Sequence, residues 1–87
     1  MPEGENQQIF LYGTQSCPDC WKSRRTLKRH DIEFEFVDVD KDAEGSEFVK
    51  SVNNGMRSVP TIVFPDGDIL VEPSNSELEE KLGQISA

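Results

Sequence analysis

The stretch IFLYGTQSCPDC, residues 9–20, joins a short apolar run to both cysteines of the chain. Its first part, residues 9–12, is apolar and is closed by Gly13-Thr14, which is typical of a buried strand. Pro18 suits the first position of a helix because its missing N–H would have had no partner there. The stretch therefore predicts a strand followed at once by a helix that begins on the cysteine motif and runs to about His30.

The chain beyond this unit reads as further helices and strands. Residues 34–39 are rich in β-branched and aromatic side chains, which favours a second strand. Residues 43–53 repeat apolar side chains on one helical face and are followed by Asn53-Asn54-Gly55, which tolerates the left-handed geometry that ends a helix. These patterns predict a parallel strand–helix–strand unit followed by a second helix.

A hairpin and a helix complete the chain. Asp66-Gly67 predicts a tight turn between antiparallel strands at residues 61–64 and 69–71. The apolar positions of the last helix recur at intervals of four and three: Leu78, Leu82 and Ile85. The predicted fold is α/β, a four-stranded mixed sheet with three helices in the order βαβαββα. Residues 1–8 are expected to be a loose N-terminal segment, and residues 9–87 to form one domain.

Composition narrows the possible partners. The formal net charge is −8, with 17 acidic residues against 9 basic ones, which argues against a nucleic-acid phosphate backbone as partner. No stretch approaches the roughly 20 apolar residues that span a membrane, so no membrane partner is expected either. The sequence predicts a monomer located in the cytoplasm, where two cysteines more often serve redox, metal or catalytic chemistry than a disulfide framework.

Five of the nine basic residues follow the cysteines closely: Lys22, Arg24, Arg25, Lys28 and Arg29. They are either solvated charges on a helix surface, or a source of positive potential that acts on an anionic substrate. Trp21 and Leu27 are expected to be the apolar contacts of the same helix.

The two cysteines are predicted to differ in role. If Pro18 opens the helix, Cys17 is its N-cap, where backbone N–H groups and the helix dipole favour a thiolate. Cys20, one turn inside the helix, is close enough to resolve a mixed disulfide at Cys17 but less exposed. Asp19 has two possible effects. Its negative charge either only stabilises the first turn of the helix, or it also disfavours the thiolate form of Cys17.

A metal site is not predicted within one chain. Zinc sites commonly take four ligands, whereas this chain offers one C-x-x-C pair and a lone His30, which is expected to be a helix-end surface residue. A cluster shared by two chains is the form of metal binding that remains compatible with these residues.

Ser58-Val59-Pro60 precedes the third predicted strand. A cis Val59-Pro60 bond at the mouth of a sheet would turn the Val59 backbone toward a bound peptide or thiol. Alone, an X-Pro pair before a strand predicts this weakly, because only about 5–6% of such bonds are cis. Together with a C-x-x-C motif after the first strand, it predicts a substrate platform.

These features resemble the glutaredoxins of the thioredoxin fold. The resemblance rests on YGTQSCPDC before a helix, VDVDKD on the second strand, SVPTIVF and the Asp-Gly hairpin, and it spans roughly residues 9–85. Within the family, EFVKSVNNGMRSVPTIVFPDG and EPSNSELEEKL are most similar to the mycoredoxin branch of actinobacteria and related bacteria.

The resemblance implies a thiol–disulfide oxidoreductase that reduces protein disulfides or mixed disulfides between a protein and a small thiol. It implies Cys17 as the nucleophile and Cys20 as the resolving thiol. The implied substrate-binding residues are Gln15, Pro18, Asp19, Arg57, Ser58, Val59, Pro60, Ser74 and Asn75. No tightly bound cofactor is expected, and a low-molecular-weight thiol, mycothiol or glutathione, would be the reductant.

Two departures from the family bear on the reductant and the redox potential. The usual glutaredoxin has a Gly-Gly turn and a Cys/Ser-Asp pair that hold glutathione, whereas residues 71–76 here read VEPSNS, so mycothiol is favoured. The central pair Pro18-Asp19 replaces the usual Pro-Tyr. Two alternative functions stay open. The protein could be an electron donor to ribonucleotide reductase that is itself reduced by a flavoprotein reductase, or a dimeric carrier of an iron–sulfur cluster.

Overall fold

The computed structural model describes residues 8–86, and within that range the side chains up to residue 84. Its elements are β1 (Ile9–Gly13), α1 (Pro18–Arg29), β2 (Phe34–Asp38), α2 (Ala43–Val52), β3 (Thr61–Val63), β4 (Ile69–Val71) and α3 (Asn75–Ser86). The predicted α/β order is confirmed. Apart from Gln8, the segment predicted to be loose lies outside the described residues.

The four strands form one mixed sheet in the order β2-β1-β3-β4. β1 pairs with β2 in parallel and with β3 antiparallel, and the β3–β4 hairpin is antiparallel. In the register, Gly13 lies opposite Asp38 and Tyr12 opposite Thr61. The end of β1 and the start of β3 therefore meet at one edge of the sheet, which is also where α1 begins.

The helices cover both faces of the sheet. α1 and α3 contact each other and pack on the face of β1 that carries Ile9 and Leu11. The main core cluster lies there: Ile9, Leu11, Leu27, Ile62, Phe64, Leu78 and Leu82. α2 packs on the opposite face, where the Tyr12 and Phe48 rings are 4.8 Å apart. The side chain of Ile85, predicted for the same apolar stripe as Leu78 and Leu82, lies outside the described side chains.

The expected role of Trp21 is wrong. Its side chain is 55% exposed, whereas Leu27 is fully buried as predicted. The buried face of α1 instead consists of Cys20, Ser23, Thr26 and Leu27. At about 100° per residue these four positions fall within one arc of about 120°, and Trp21 lies on the opposite side of the helix.

Lys81 of α3 joins the β3–β4 turn to the core. Its ammonium donates to Asp66 at 2.5 Å and Asp68 at 2.7 Å, and it lies 5.4 Å from the centre of the Phe64 ring. The hydrogen bonds to Asp66 and Asp68 raise the pKa of Lys81, and the bond to Lys81 lowers that of Asp66. The turn is thereby held against α3.

Candidate active site

Cys17 lies at the N-cap of α1, as predicted. Its backbone is extended, with φ −87° and ψ 115°, and its Sγ accepts a hydrogen bond from the Cys20 N–H at 3.2 Å. Pro18 occupies the first turn, and Asp19 is exposed beside it. Cys17 is partly exposed, and both cysteines are free thiols. The Cys17 sulfur therefore lies at the positive end of the helix dipole and is accessible from outside the protein.

Cys20 is in a different environment. Its side chain is fully buried, and its Sγ lies against the backbone of Gly13 so closely that a Cβ added there would be 2.5 Å from the sulfur. Burial, with a smaller effect of its hydrogen bond to Cys17, raises the pKa of Cys20 to about 12, although a hydrogen bond from the Thr14 backbone opposes the rise. Cys20 therefore keeps its proton at neutral pH.

Val59 and Pro60 lie at the start of β3. The Val59-Pro60 peptide bond is cis, which confirms the sequence prediction. The Pro60 carbonyl accepts the Glu72 N–H at 2.8 Å, and the Thr61 hydroxyl donates to the Ser58 carbonyl at 2.7 Å. Since Thr61 pairs with the end of β1, this segment lies at the same edge of the sheet as the cysteines.

Arg57 and Gln15 lie in the loops that precede Pro60 and Cys17. Arg57 is ion-paired with Asp40, which follows β2, and both side chains are largely exposed. Gln15 is exposed in the turn between β1 and α1. Their predicted contact with substrate stays a prediction.

Ser74 and Asn75 have structural partners in addition to their predicted role. The Glu77 N–H donates to the Ser74 hydroxyl at 3.1 Å, and the Ser74 N–H donates to the Glu77 carboxylate at 2.9 Å, which is a capping box at the start of α3. The Asn75 side chain accepts from the Thr26 hydroxyl of α1 at 3.5 Å. Their contact with a small thiol stays a prediction.

Two residues at this edge were not predicted from the sequence. Gly13 allows the close approach of Cys20, and Glu72 has a left-handed φ of 50° while it holds Pro60. Gly13 could have been suspected, because a glycine just before a reactive motif often marks a close backbone approach. Glu72 carried no such pattern, since left-handed geometry favours glycine or asparagine.

Within residues 8–86, no three His, Cys, Asp or Glu side chains are grouped so that they could hold a metal ion. No helix in that range is long and apolar enough to cross a membrane.

Comparison with known proteins agrees with this geometry. The family model for glutaredoxin matches residues 9–70. Mycoredoxin 1 of Corynebacterium glutamicum is 41% identical over 79 residues, which cover 90% of this chain and 96% of that protein. The glutaredoxin-like protein NrdH of Escherichia coli is 25% identical over 59 residues, which cover 68% of this chain and 70% of that one.

A solved structure supports the same fold. The crystal structure of a thioredoxin-like protein superimposes with a TM-score of 0.68 at 30% identity, covering 87% of this chain and 96% of the other. The thioredoxin-like fold predicted from the sequence is thus confirmed, and Cys17 and Cys20 lie close together at the edge of the sheet where its elements meet. The chain belongs to the glutaredoxin family and is a glutaredoxin-like redox protein.

Proposed function

We propose that the protein is a cytoplasmic thiol–disulfide oxidoreductase that reduces protein disulfides and mixed disulfides between a protein and a small thiol. The observation that carries the proposal is the difference between the two cysteines. Cys17 is reachable and its sulfur accepts a backbone N–H, whereas Cys20 is fully buried and has a raised pKa. The Cys17 sulfur is therefore suited to attack a substrate disulfide, and the Cys20 sulfur to react only in a later step.

The proposed dithiol reaction has two exchange steps. The Cys17 thiolate attacks one sulfur of the substrate disulfide, the S–S bond breaks, and the departing sulfur leaves as a thiolate that takes up a proton. Cys20 then loses its proton and attacks the Cys17 sulfur, which releases the second substrate thiol and leaves a Cys17–Cys20 disulfide. The substrate gains two electrons and two protons, and the protein is oxidised by the same amount.

A mixed disulfide with a small thiol needs Cys17 alone. The Cys17 thiolate attacks the sulfur of the small thiol, so that the substrate protein leaves as a thiol. A second molecule of the small thiol then attacks the mixed disulfide on Cys17, which restores Cys17 and produces the oxidised dimer of the small thiol. Cys20 takes no part in this route.

Mycothiol is the small thiol that we favour over glutathione as reductant. The loop after β4 carries Glu72 and Pro73 where the usual glutaredoxin has a Gly-Gly turn, and the relative of 41% identity is named as a mycoredoxin. The side chains proposed to bind substrate are all partly or largely exposed: Gln15, Asp19, Arg57, Ser58, Val59, Ser74 and Asn75. Pro18 and Pro60 would hold the backbone that surrounds them.

A second electron source is supported by one comparison. The similarity to NrdH suggests a flavoprotein reductase as the donor, with ribonucleotide reductase as the acceptor. In that case the Cys17–Cys20 disulfide would be reduced by the reductase, and small thiols would be poor reductants.

Single-cysteine variants separate these possibilities. We expect Cys20→Ser to keep much of the turnover on protein–mycothiol mixed disulfides and to lose most of it on protein disulfides, because only the latter need a resolving thiol. Cys17→Ser should be inactive on both, and Ser16→Ala is the matched control outside the pair. Inactivity of Cys20→Ser on every mixed disulfide, with wild type reduced efficiently only by a flavoprotein reductase, would reject the small-thiol route. A brown colour after anaerobic isolation would instead indicate the iron–sulfur carrier.

A further inference from the structure

An open groove lies between α1 and the edge strand β2. Its volume is about 440 Å³, and its lining includes Arg24, Lys28, Ile32, Glu33, Phe34 and Phe36. A second groove of about 190 Å³ continues along α1 past Trp21 and Arg25 and shares Arg24 and Lys28 with the first. We call the two together the α1–β2 groove. Its surface combines aromatic rings with cations, which is the composition typical of protein-binding sites.

The cations of the α1–β2 groove lack partners of opposite charge. Within residues 8–86, ion pairs occupy Arg29, Lys50, Arg57 and Lys81, whereas Arg24, Arg25 and Lys28 have none. This is unexpected in a chain with 17 acidic and 9 basic residues. Among the lining residues of the groove, three cations stand against one carboxylate, Glu33, so the groove is a positive surface on a protein whose net charge is −8.

The aromatic rings hold two of these cations in place. The Arg24 guanidinium lies 4.2 Å from the centre of the Phe36 ring, and its buried Nε has no hydrogen-bond partner among the described residues. The Arg25 guanidinium lies 5.3 Å from the centre of the Trp21 ring. A guanidinium that lies over a ring keeps the N–H donors in its own plane free, so it can still bind a carboxylate.

The α1–β2 groove leads away from the reactive sulfur. Trp21 follows Cys20 directly, and Lys28 is three turns farther along the helix from Cys17, which corresponds to about 16 Å at the usual rise per residue. An extended peptide covers that distance with about five residues. A substrate with its disulfide at Cys17 would therefore reach Lys28 with the residues next to its cysteine.

We propose that the α1–β2 groove binds an acidic segment next to the target cysteine of protein substrates, so that proteins with such segments are reduced in preference to others. This proposal rests on the proposed function and names its substrate class. The carboxylates of the segment would pair with Arg24, Arg25 and Lys28, and its apolar side chains would pack on Trp21 and the β2 rings. Such a surface raises the rate of encounter as well as the affinity, and its effect falls as salt rises.

Two synthetic substrates test the proposal. Each is a peptide with one cysteine, joined to a second copy by a disulfide. One carries a run of glutamates beside the cysteine, and the other carries glutamines in the same places. We expect wild type to reduce the glutamate peptide with a kcat/KM about tenfold higher at low salt, a preference that disappears at high salt.

Substitution of the cations should remove this preference selectively. Lys28→Gln and the Arg24→Gln/Lys28→Gln double variant should lose activity on the glutamate peptide and leave the glutamine peptide unchanged. Lys50→Gln on α2, on the other face of the sheet, makes the same change in net charge as Lys28→Gln and should keep the preference. Equal rates of wild type on the two peptides, or an equal loss in Lys50→Gln, would overturn the proposal.

A binding measurement separates docking from thiol chemistry. Trp21 is the only tryptophan of the chain, so its fluorescence reports on the groove. A glutamate peptide with serine in place of cysteine should shift this fluorescence in Cys17→Ser as well as in wild type, and the glutamine peptide should not. If this shift occurs in a protein that reduces no disulfide, the docking surface stands and the proposed function fails. If neither peptide shifts the fluorescence, the docking surface is rejected whatever the activity.

Discussion

The Sγ of Cys20 rests against the backbone of Gly13, the last residue of β1, and leaves no room for a Cβ there. The contact joins the start of α1 to the end of the central strand. It places the Cys20 sulfur inside the protein, behind Cys17 at the N-cap. The two sulfurs are therefore distinguished by the packing of the fold as well as by their positions on the helix.

Gly13→Ala should disturb this contact. The added methyl would lie 2.5 Å from the Cys20 Sγ and 3.1 Å from its Cβ, so that Cys20 or β1 must shift. We expect the free energy of unfolding of the reduced protein to fall by about 1–3 kcal/mol, as for other overpacked sites. Urea denaturation measures this. Gly83→Ala in α3 is the control, because its Cβ would meet nothing within 4 Å and should be neutral or stabilising. Equal stability of the two variants would contradict the contact.

Alkylation should distinguish the two thiols. In the Cys17→Ser variant the remaining thiol is Cys20, and its burial, the largest cause of its raised pKa, is retained. Because the thiolate is the reacting form, we expect its reaction with iodoacetamide at pH 7 to be roughly a hundredfold slower than that of a free cysteine. Mass spectrometry of the alkylated protein measures the rate, and Cys20→Ser reports Cys17 in the same assay. Faster modification of Cys20 than of Cys17 would reverse the assigned roles.

The stability of the reduced protein should fall in alkaline solution. The pKa of Cys20 is about 12 in the folded state against 9.0 for an ordinary thiol, so the unfolded chain loses this proton first. Between these pH values the unfolded state binds fewer protons, and the free energy of unfolding therefore decreases as the pH rises.

Cys20→Ser is the control for this pH dependence. Burial also raises the pKa of Tyr12, which acts in the same direction but is common to both proteins. Urea denaturation at pH 8 and pH 10, with a reductant present, should show a smaller decrease in the variant. Parallel decreases in the two proteins would show that Cys20 does not cause the effect.

The capping box at Ser74 allows its structural role to be separated from its predicted role in binding. Ser74→Ala removes the acceptor of the Glu77 N–H and should cost about 1 kcal/mol of stability. Ser74→Asn keeps a good N-cap and should cost much less. If Ser74 also contacts the small thiol, both variants should raise KM for a mixed disulfide. An unchanged KM in the stable Ser74→Asn variant would restrict Ser74 to the cap.

The order of elements could be predicted because each is bounded by local chemistry. Pro18 opens α1, Asp66-Gly67 closes the hairpin, and the apolar runs have the lengths of strands. The position of Cys17 at the N-cap followed from Pro18 in the same way, since a cap depends only on its immediate neighbours.

Contacts between distant segments could not be read from the sequence. The pairing of Cys20 with Gly13 depends on the angle at which α1 leaves β1, and the ion pair of Arg57 with Asp40 joins two loops that are close only in the folded chain. Trp21 was expected to be an apolar contact of α1, but it lies on the side of the helix opposite the buried positions. An apolar side chain stays exposed when the helix turns it away from the core.

The central position of β1 in the sheet affects how readily its amide hydrogens exchange with solvent. Hydrogen bonds to β2 and β3 protect both edges of β1, so its amide hydrogens exchange with solvent only when one of these ladders breaks. In the loop after β4, single hydrogen bonds hold the Glu72 N–H to Pro60 and the Ser74 N–H to Glu77, so we expect these amide hydrogens to exchange through smaller openings. The slowest-exchanging backbone therefore ends at Gly13, against the Cys20 sulfur. The proposed thiol exchange would take place where this well-protected strand meets a loop with fewer backbone hydrogen bonds, which would let the substrate side adapt while the Cys20 sulfur stays in place.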